Sequence, residues 1–511
     1  MGLESNILLD KHKVDILVAQ MLPEELIRRV KMLPIKIEAS QLYIAVTEPI
    51  DLPGIDEIKS LTGMRVRPVI VPKDELENVI KALLRSDQRT TQTIIDMTFE
   101  SLSGSRNVQG NTADTVFDTV DTDEAPVISL VNNIILGAVS EGASDIHLEP
   151  QYPEMRVRYR INGILQQIAT VPKQVEPAVV SRIKLLADMD IAECRRPQDG
   201  HISMNTNGKM VDLRISTVLT AKGEKVVIRI LDQKGMLLGL KQLGMLPDQQ
   251  KILESFIARP YGIILVTGPT GSGKTTTLYT ALSQFDADGS NIVTVENPVE
   301  YQINNISQIQ VNTNINFGFA NALRAIVRQD PDIIMIGEIQ DYETAEIAIQ
   351  SALTGHLILS TLHTNDAPGA VMRLADMGVQ PFLIASTVRG VIAQRLVRSI
   401  CKECKELYDP SAEELQLLNL PIDSSIKLAK GKGCPICHNT GYGGRIGVFE
   451  IFEIDEGIRK LILSHASSSD IRQLAIEKGM KILSQASREK ILRGSTTVEE
   501  VQRVIYLGEE E

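Results

Sequence analysis

Gly268-Pro269-Thr270-Gly271-Ser272-Gly273-Lys274-Thr275 follows the pattern G-x-x-x-x-G-K-T, and Thr276 continues it into an expected helix. Glycines let consecutive backbone N–H groups turn inward around phosphate oxygens, and a helix N-terminus adds partial positive charge. Lys274 has the length to reach β- and γ-phosphates, and the Thr275 hydroxyl can ligate Mg²⁺. The apolar run Ile263-Ile264-Leu265-Val266 ahead of the motif reads as a buried strand, the context that such a loop requires. These residue types in this order point to a nucleoside triphosphate that is bound and cleaved.

Further groups could act with the loop. Glu296 and Glu300 fall just past the strand-like run Asn291 to Val295, and Glu338 follows the apolar run Ile333-Ile334-Met335-Ile336. Ligands of open α/β sheets bind at the carboxyl ends of strands, so all three carboxylates could sit near a metal and an attacking water. His356 and His363 bracket another apolar run; they read either as structural groups or as sensors of a γ-phosphate. Arg324 and Arg328 lie four residues apart on an expected helix and share a face, as surface charges or as arginine fingers. Arg156, Arg158, Arg160, Arg214 and Arg229 alternate with apolar residues in strand-like runs. They form either a solvated basic face or a set of forks for phosphate oxygens. Cys401, Cys404, Cys434 and Cys437 make two C-x-x-C pairs, whose four thiolates suit a closed tetrahedral Zn²⁺ site, with redox or unligated thiols as the alternatives. His438 is a possible substitute ligand, and Cys194 stands apart.

The elements that must position these groups follow from periodicity. Residues 1–88 read as a small α+β module with helices near 24–32, 55–61 and 74–84 and strands at 42–46 and 66–71. Residues 89–123, rich in Ser, Thr, Asn, Gly and Asp, cannot bury enough apolar surface to offset their ordering and read as a flexible linker. Residues 124–238 read as a second α+β unit, opened by a helix over 127–139 with Pro126 in its first turn. Residues 239–395 carry the phosphate loop, 396–445 the cysteines, and 446–511 a run of helices whose last opens on a Thr497-x-x-Glu500 capping box. At 511 residues, 43% hydrophobic and 23% charged, the chain has material for several packed cores. A net charge of −12 disfavours a role in coating nucleic acid. No apolar stretch is long enough to span a bilayer and no signal sequence opens the chain, so it is expected in the cytoplasm.

These blocks together resemble the ATPases of type II secretion and type IV pilus assembly. The resemblance rests on the loop, on Arg196 to Gly200, Val211 to Arg214, Gly223 to Val227, Glu296 to Glu300, Leu323 to Glu338, His356 to Asp366, and on the tetracysteine pairs. It implies a RecA-like P-loop core, preceded by a PAS-like α+β domain and a small α+β N-terminal domain. It also implies a homo-hexameric motor using ATP and Mg²⁺, carrying Zn²⁺, and docked from the cytoplasm on inner-membrane platform proteins. Pilin-type subunits would be moved indirectly, with no direct nucleic-acid partner. By the same resemblance Lys274 and Thr275 match the phosphate and Mg²⁺ positions, Glu338, Glu296 and Glu300 match the hydrolytic acidic positions, and Arg214, Arg229, Arg324 and Arg328 match arginines that approach phosphates. The family commonly has Asp where this chain has Asn297, and Arg where it has Gln340. Slow hydrolysis, or a nucleotide-binding scaffold that hardly turns over, is therefore an alternative, as is a related DNA-uptake or retraction motor.

Overall fold

The computed structural model describes residues 24–38, 41–47, 51–62, 64–72, 124–206, 209–232, 239–312, 315–421 and 424–505, with Val18, Leu22 and Leu76. The expected linker over 89–123 and all but one residue of the expected helix at 74–84 lie outside them. Two compact units are formed, one from residues 1–137, 148–158 and 167–183, the other from 138–147, 159–166 and 184–511. No helix among the described residues is long and apolar enough to cross a membrane.

Near the N-terminus, α1 (Glu24–Val30) and α2 (Leu52–Thr62) accompany a three-stranded sheet of β1 (Leu33–Glu38), β2 (Gln41–Val46) and β3 (Arg65–Ile70). Its core includes Leu26, Ile27, Leu42, Ile44 and Ile58. β1 was not expected from the sequence; it is a six-residue strand paired antiparallel to β2.

Helix α3 (Glu124–Ser140) is followed by β4 (Asp145–Glu149), β5 (Glu154–Ile161), β6 (Ile164–Pro172), α4 (Glu176–Leu186), β7 (Gln198–Thr206), β8 (Lys209–Thr220) and β9 (Gly223–Asp232). The strands form one sheet in the order β6-β5-β4-β9-β8-β7. In β5 burial alternates, with Met155, Val157, Tyr159 and Ile161 inward, so Arg156, Arg158 and Arg160 share the outer face as their spacing predicts.

Helix α5 (Pro247–Ile257) leads into a seven-stranded sheet. Its strands are β10 (Gly262–Thr267), β11 (Ile292–Glu296), β12 (Ser307–Gln310), β13 (Ile333–Ile336), β14 (Leu357–Leu362), β15 (Val388–Ile400) and β18 (Tyr442–Glu453), in the order β12-β11-β13-β14-β10-β15-β18. All neighbours are parallel except β15 and β18. A parallel sheet is covered on both faces, which is why β10, β13 and β14 are unbroken apolar or small runs buried at every position. One face packs Ile264, Val266, Met335 and Leu359 against α5 and α6 (Lys274–Leu282). The other packs Ile263, Leu265, Ile334 and Ile358 against α7 (Phe319–Ile326), α8 (Tyr342–Leu353), α9 (Pro368–Asp376), α10 (Pro381–Thr387), α12 (Glu456–Leu463) and α13 (Ser468–Glu477). Each such Ile or Leu contributes about 1.5–3 kcal/mol by leaving water. The short ribbon β16 (Lys405–Tyr408) with β17 (Leu428–Gly431), and the helices α11 (Ala412–Leu417), α14 (Leu483–Leu492) and α15 (Val498–Val504), complete the chain. At α15 the Thr497 hydroxyl accepts the Glu500 N–H at 3.2 Å, but the Glu500 carboxylate turns to Arg398 and Arg503, so only half of the expected capping box forms.

Candidate active site

Parallel strands bring their carboxyl ends to one edge, and the loops leaving that edge carry most of the candidate groups. The phosphate loop joins β10 to α6. Gly268 has φ of 145°, and a Cβ there would meet the Gln394 carbonyl at 2.5 Å; Gly273, at φ 87°, caps α6. Both positions therefore need glycine. Thr267, the last residue of β10, accepts the Thr364 N–H at 2.8 Å and so ties this loop to the one after β14.

Lys274 is buried and donates to the carbonyls of Gly268 and Pro269 at 2.8 and 3.1 Å. Burial pulls its ammonium below the ordinary lysine range; Glu338 opposes that shift and Arg395 adds to it. The Ser272 hydroxyl is buried with no hydrogen-bond partner, a polar vacancy that a phosphate oxygen fits. The Lys274 ammonium and the unpartnered Ser272 hydroxyl, at a helix N-terminus capped by Gly273, are donors suited to phosphate oxygens.

Glu338 lies just past β13, where His363 Nε2 meets its Oε2 at 3.0 Å and the Gln340 amide donates to its Oε1. The two histidines separate here. His363 stands beside Glu338, whereas His356 precedes β14 at the far edge and bonds the Ser351 carbonyl and the Thr354 hydroxyl.

The other two carboxylates differ in exposure. Glu296 is 3% exposed and takes hydrogen bonds from the Tyr279 hydroxyl, from Thr294 Oγ1 at 2.5 Å and from Gln308 Nε2 at 3.1 Å. Glu300 remains part-exposed, 3.9 Å from Arg214 Nη1, and Arg214 Nη2 donates to the Val299 carbonyl at 3.3 Å.

The remaining arginines meet other partners. Arg229 bonds Asp145 at 3.1 Å, Arg160 lies 3.4 Å from the same carboxylate, and Arg158 bonds Glu149 at 2.7 Å, so β4 neutralises much of the basic face. Arg324 is held by Glu343 at the start of α8, on the sheet face opposite α6. Arg328 bonds the Arg324 carbonyl at 2.7 Å, beside Gln329, whose carbonyl accepts from Asn291 at the amino edge of β11. Neither makes a bond to the phosphate loop of its own chain.

Sequence reasoning missed Gln394 and Arg395. Gln394 Oε1 accepts from Thr277 at 2.7 Å, and Arg395 holds the Asn365 carbonyl at 2.8 Å beside the phosphate loop. A polar pair inside the apolar run Val391 to Val397 was the available signal.

The four cysteine Sγ atoms lie within 4.8 Å of one another, with separations of 3.9 Å for Cys401 and Cys434, 3.8 Å for Cys404 and Cys437, and 3.6 Å for Cys434 and Cys437. A tetrahedron of sulfurs about 2.3 Å from Zn²⁺ has edges of about 3.8 Å, so the group fits zinc. Backbone N–H groups of Cys434 and Gly441 point at Cys437 Sγ and, against burial, bring its thiol down to about 6.

A family model described as "Type II/IV secretion system protein" matches residues 120–503, and one described as "MshEN domain" matches residues 1–90. The chain belongs to the type II/IV secretion system protein family. Among this family's members it is 43% identical over 468 residues to "Type II secretion system protein E" of Pseudomonas aeruginosa, covering 91% of this chain and 92% of that protein. It is 38% identical over 489 residues to "Type IV pilus assembly ATPase PilB" of Myxococcus xanthus, covering 95% and 86%. The solved structure of the "Pilus Retraction Motor PilT and Bound ADP" matches with 26% identity and a TM-score of 0.51, over 74% of this chain and 96% of that one. The secretion family makes this chain a RecA-like ATPase; it implies ATP and Mg²⁺, and the four-cysteine group could hold zinc.

Proposed function

We propose that this chain is the cytoplasmic motor whose ATP hydrolysis powers assembly of a type IV pilus or of a type II secretion pseudopilus. The observation that carries the reading is the buried Lys274 in its phosphate loop, set among strand ends that also carry the Glu338–His363 pair. The relatives at 43% and 38% identity are named for secretion and for pilus assembly, against 26% for the retraction motor, which supports the cargo class.

In this reading the glycine N–H groups and Lys274 bind the triphosphate, and Thr275 would hold Mg²⁺, which would supply charge neutralisation at the phosphates. Glu338 orients the attacking water and accepts its proton, while His363 holds the carboxylate and senses the γ-phosphate. Glu300 forms the acidic rim beside Arg214, with the buried Glu296 behind it. Arg229 would have to leave Asp145 to reach a phosphate. Arg324 and Arg328 face away from their own loop and would serve a neighbouring copy, as a homo-hexamer allows. Residues 1–88 dock on inner-membrane platform proteins and 89–123 link them to the rest. Residues 124–238 carry the arginines, 239–395 the ATPase core and 396–445 the zinc segment, with 446–511 as the helical end; pilin-type subunits are moved without being touched.

The Gln340 amide holds one Glu338 oxygen while His363 meets the other, and Asn297 replaces a family carboxylate with a neutral amide. Turnover of the chain as it stands should therefore be modest, and should rise about 3- to 10-fold when Gln340→Arg and Asn297→Asp are combined. The test is Mg²⁺-dependent phosphate release by the purified oligomer. Release that survives Glu338→Gln undiminished would overturn the assignment of the water-orienting carboxylate.

A further inference from the structure

Residues Glu296 to Tyr301 close around one side chain of the phosphate-loop helix. Thr275 and Tyr279 are four residues apart on α6 and so share a face. Tyr279 is fully buried. Its hydroxyl donates to Glu296 Oε2 and accepts the Glu300 N–H at 3.4 Å. Its ring meets Tyr301 edge-on, with centroids 4.5 Å apart and planes at 78°. The Tyr301 hydroxyl is buried without a partner, so Tyr301 serves through its ring.

A phenol has one proton to give, and here Glu296 takes it. Thr294 and Gln308 hold the other Glu296 oxygen, so protein donors fill three of about four acceptor sites of this buried carboxylate. Burial, reinforced by Glu296, drives the Tyr279 phenol above its ordinary range, so it remains a donor. The Glu300 end of the same segment carries the contact with Arg214.

Resting on the motor reading above, we propose that Tyr279 is a positioning residue. It fixes Glu300, and through it the Arg214 contact, to the helix whose first turn holds the triphosphate. Glu296 is the anchor of that phenol and acts through it. A displacement of the first turn of α6 on nucleotide binding or release then travels along a rigid ring to Glu300 and on to the arginine-bearing sheet.

The test compares Tyr279→Phe, Glu296→Gln and the double variant in the full-length oligomer, with kcat and KM for ATP, affinity for a fluorescent ATP analogue, and thermal midpoint. Phenylalanine keeps the ring and its packing, so the fold is retained. Tyr279→Phe should lower kcat about 10-fold while KM and analogue affinity stay within about two-fold; Glu296→Gln should do the same, and the double variant should be no slower than either single. A kcat unchanged by Tyr279→Phe overturns the proposal, as do losses that multiply in the double variant. A Glu296→Gln loss about 100-fold larger than that of Tyr279→Phe also overturns it, because Glu296 would then touch the reaction directly. Failure of the unmodified chain to bind the analogue or release phosphate would instead strike the motor reading itself.

Discussion

Glu450 on β18 is a buried carboxylate that the proposed chemistry leaves unused. Its two oxygens accept the Ala367 N–H at 2.7 Å and the Leu483 N–H at 3.2 Å, at the starts of α9 and α14. It thereby joins the segment after His363 to the C-terminal helices, a link that the ion pair of Arg472 with Asp366 at 3.8 Å repeats. Burial, with Asp366 adding to it, raises Glu450 from 4.5 to about 7 against the two N–H groups. The folded chain then holds a proton that the unfolded chain releases, so this group's contribution to stability falls as pH rises from about 4.5 to 7 and is level beyond. Glu450→Gln cannot ionise and should escape that loss. Its thermal midpoint relative to the unmodified chain should rise between pH 5 and pH 8, by the equivalent of at most about 3 kcal/mol. An offset that is the same at both pH values would refute the assignment. Nothing in the sequence marked Glu450, because its burial arises from strands brought together across long stretches of chain. The phosphate loop, by contrast, is contiguous and carries its chemistry in its own backbone.

Among the elements, parallel core strands were legible because burial on both faces leaves unbroken apolar runs such as Ile333 to Ile336. Strand β7 was not, since Gln198 to Thr206 is mostly polar and becomes a strand through its pairing with β8. The arginine alternation in β5 was readable, but not the carboxylates of β4 that meet those arginines. Strands β15 and β18 pair as far as Ile400 with Tyr442, immediately beside Cys401. Zinc bound by the four thiolates would thus clamp the outer end of two strands of the main sheet. Removing it by Cys434→Ser with Cys437→Ser should abolish one tightly bound zinc per chain in metal analysis. The same variant should expose residues 401–441 to protease while leaving ATP-analogue affinity within about two-fold. Unchanged zinc content in that variant would exclude the tetracysteine site.

For the whole molecule, one sheet edge gathers loops whose residues lie far apart in sequence, from Gly268 to Arg395. Motifs with fixed spacing announced the loop and the cysteines, whereas the far-edge place of His356 and the partners of Arg324 and Arg328 depend on topology that spacing does not encode. The proposed function requires that this edge hydrolyse ATP through Lys274. It is tested by Mg²⁺-dependent phosphate release from the intact oligomer, compared between the unmodified chain and Lys274→Ala at equal protein concentration and matched thermal midpoint. Release by the unmodified chain that falls at least about 100-fold in the variant is the predicted result. Equal release by both, or none by the unmodified chain, would contradict it.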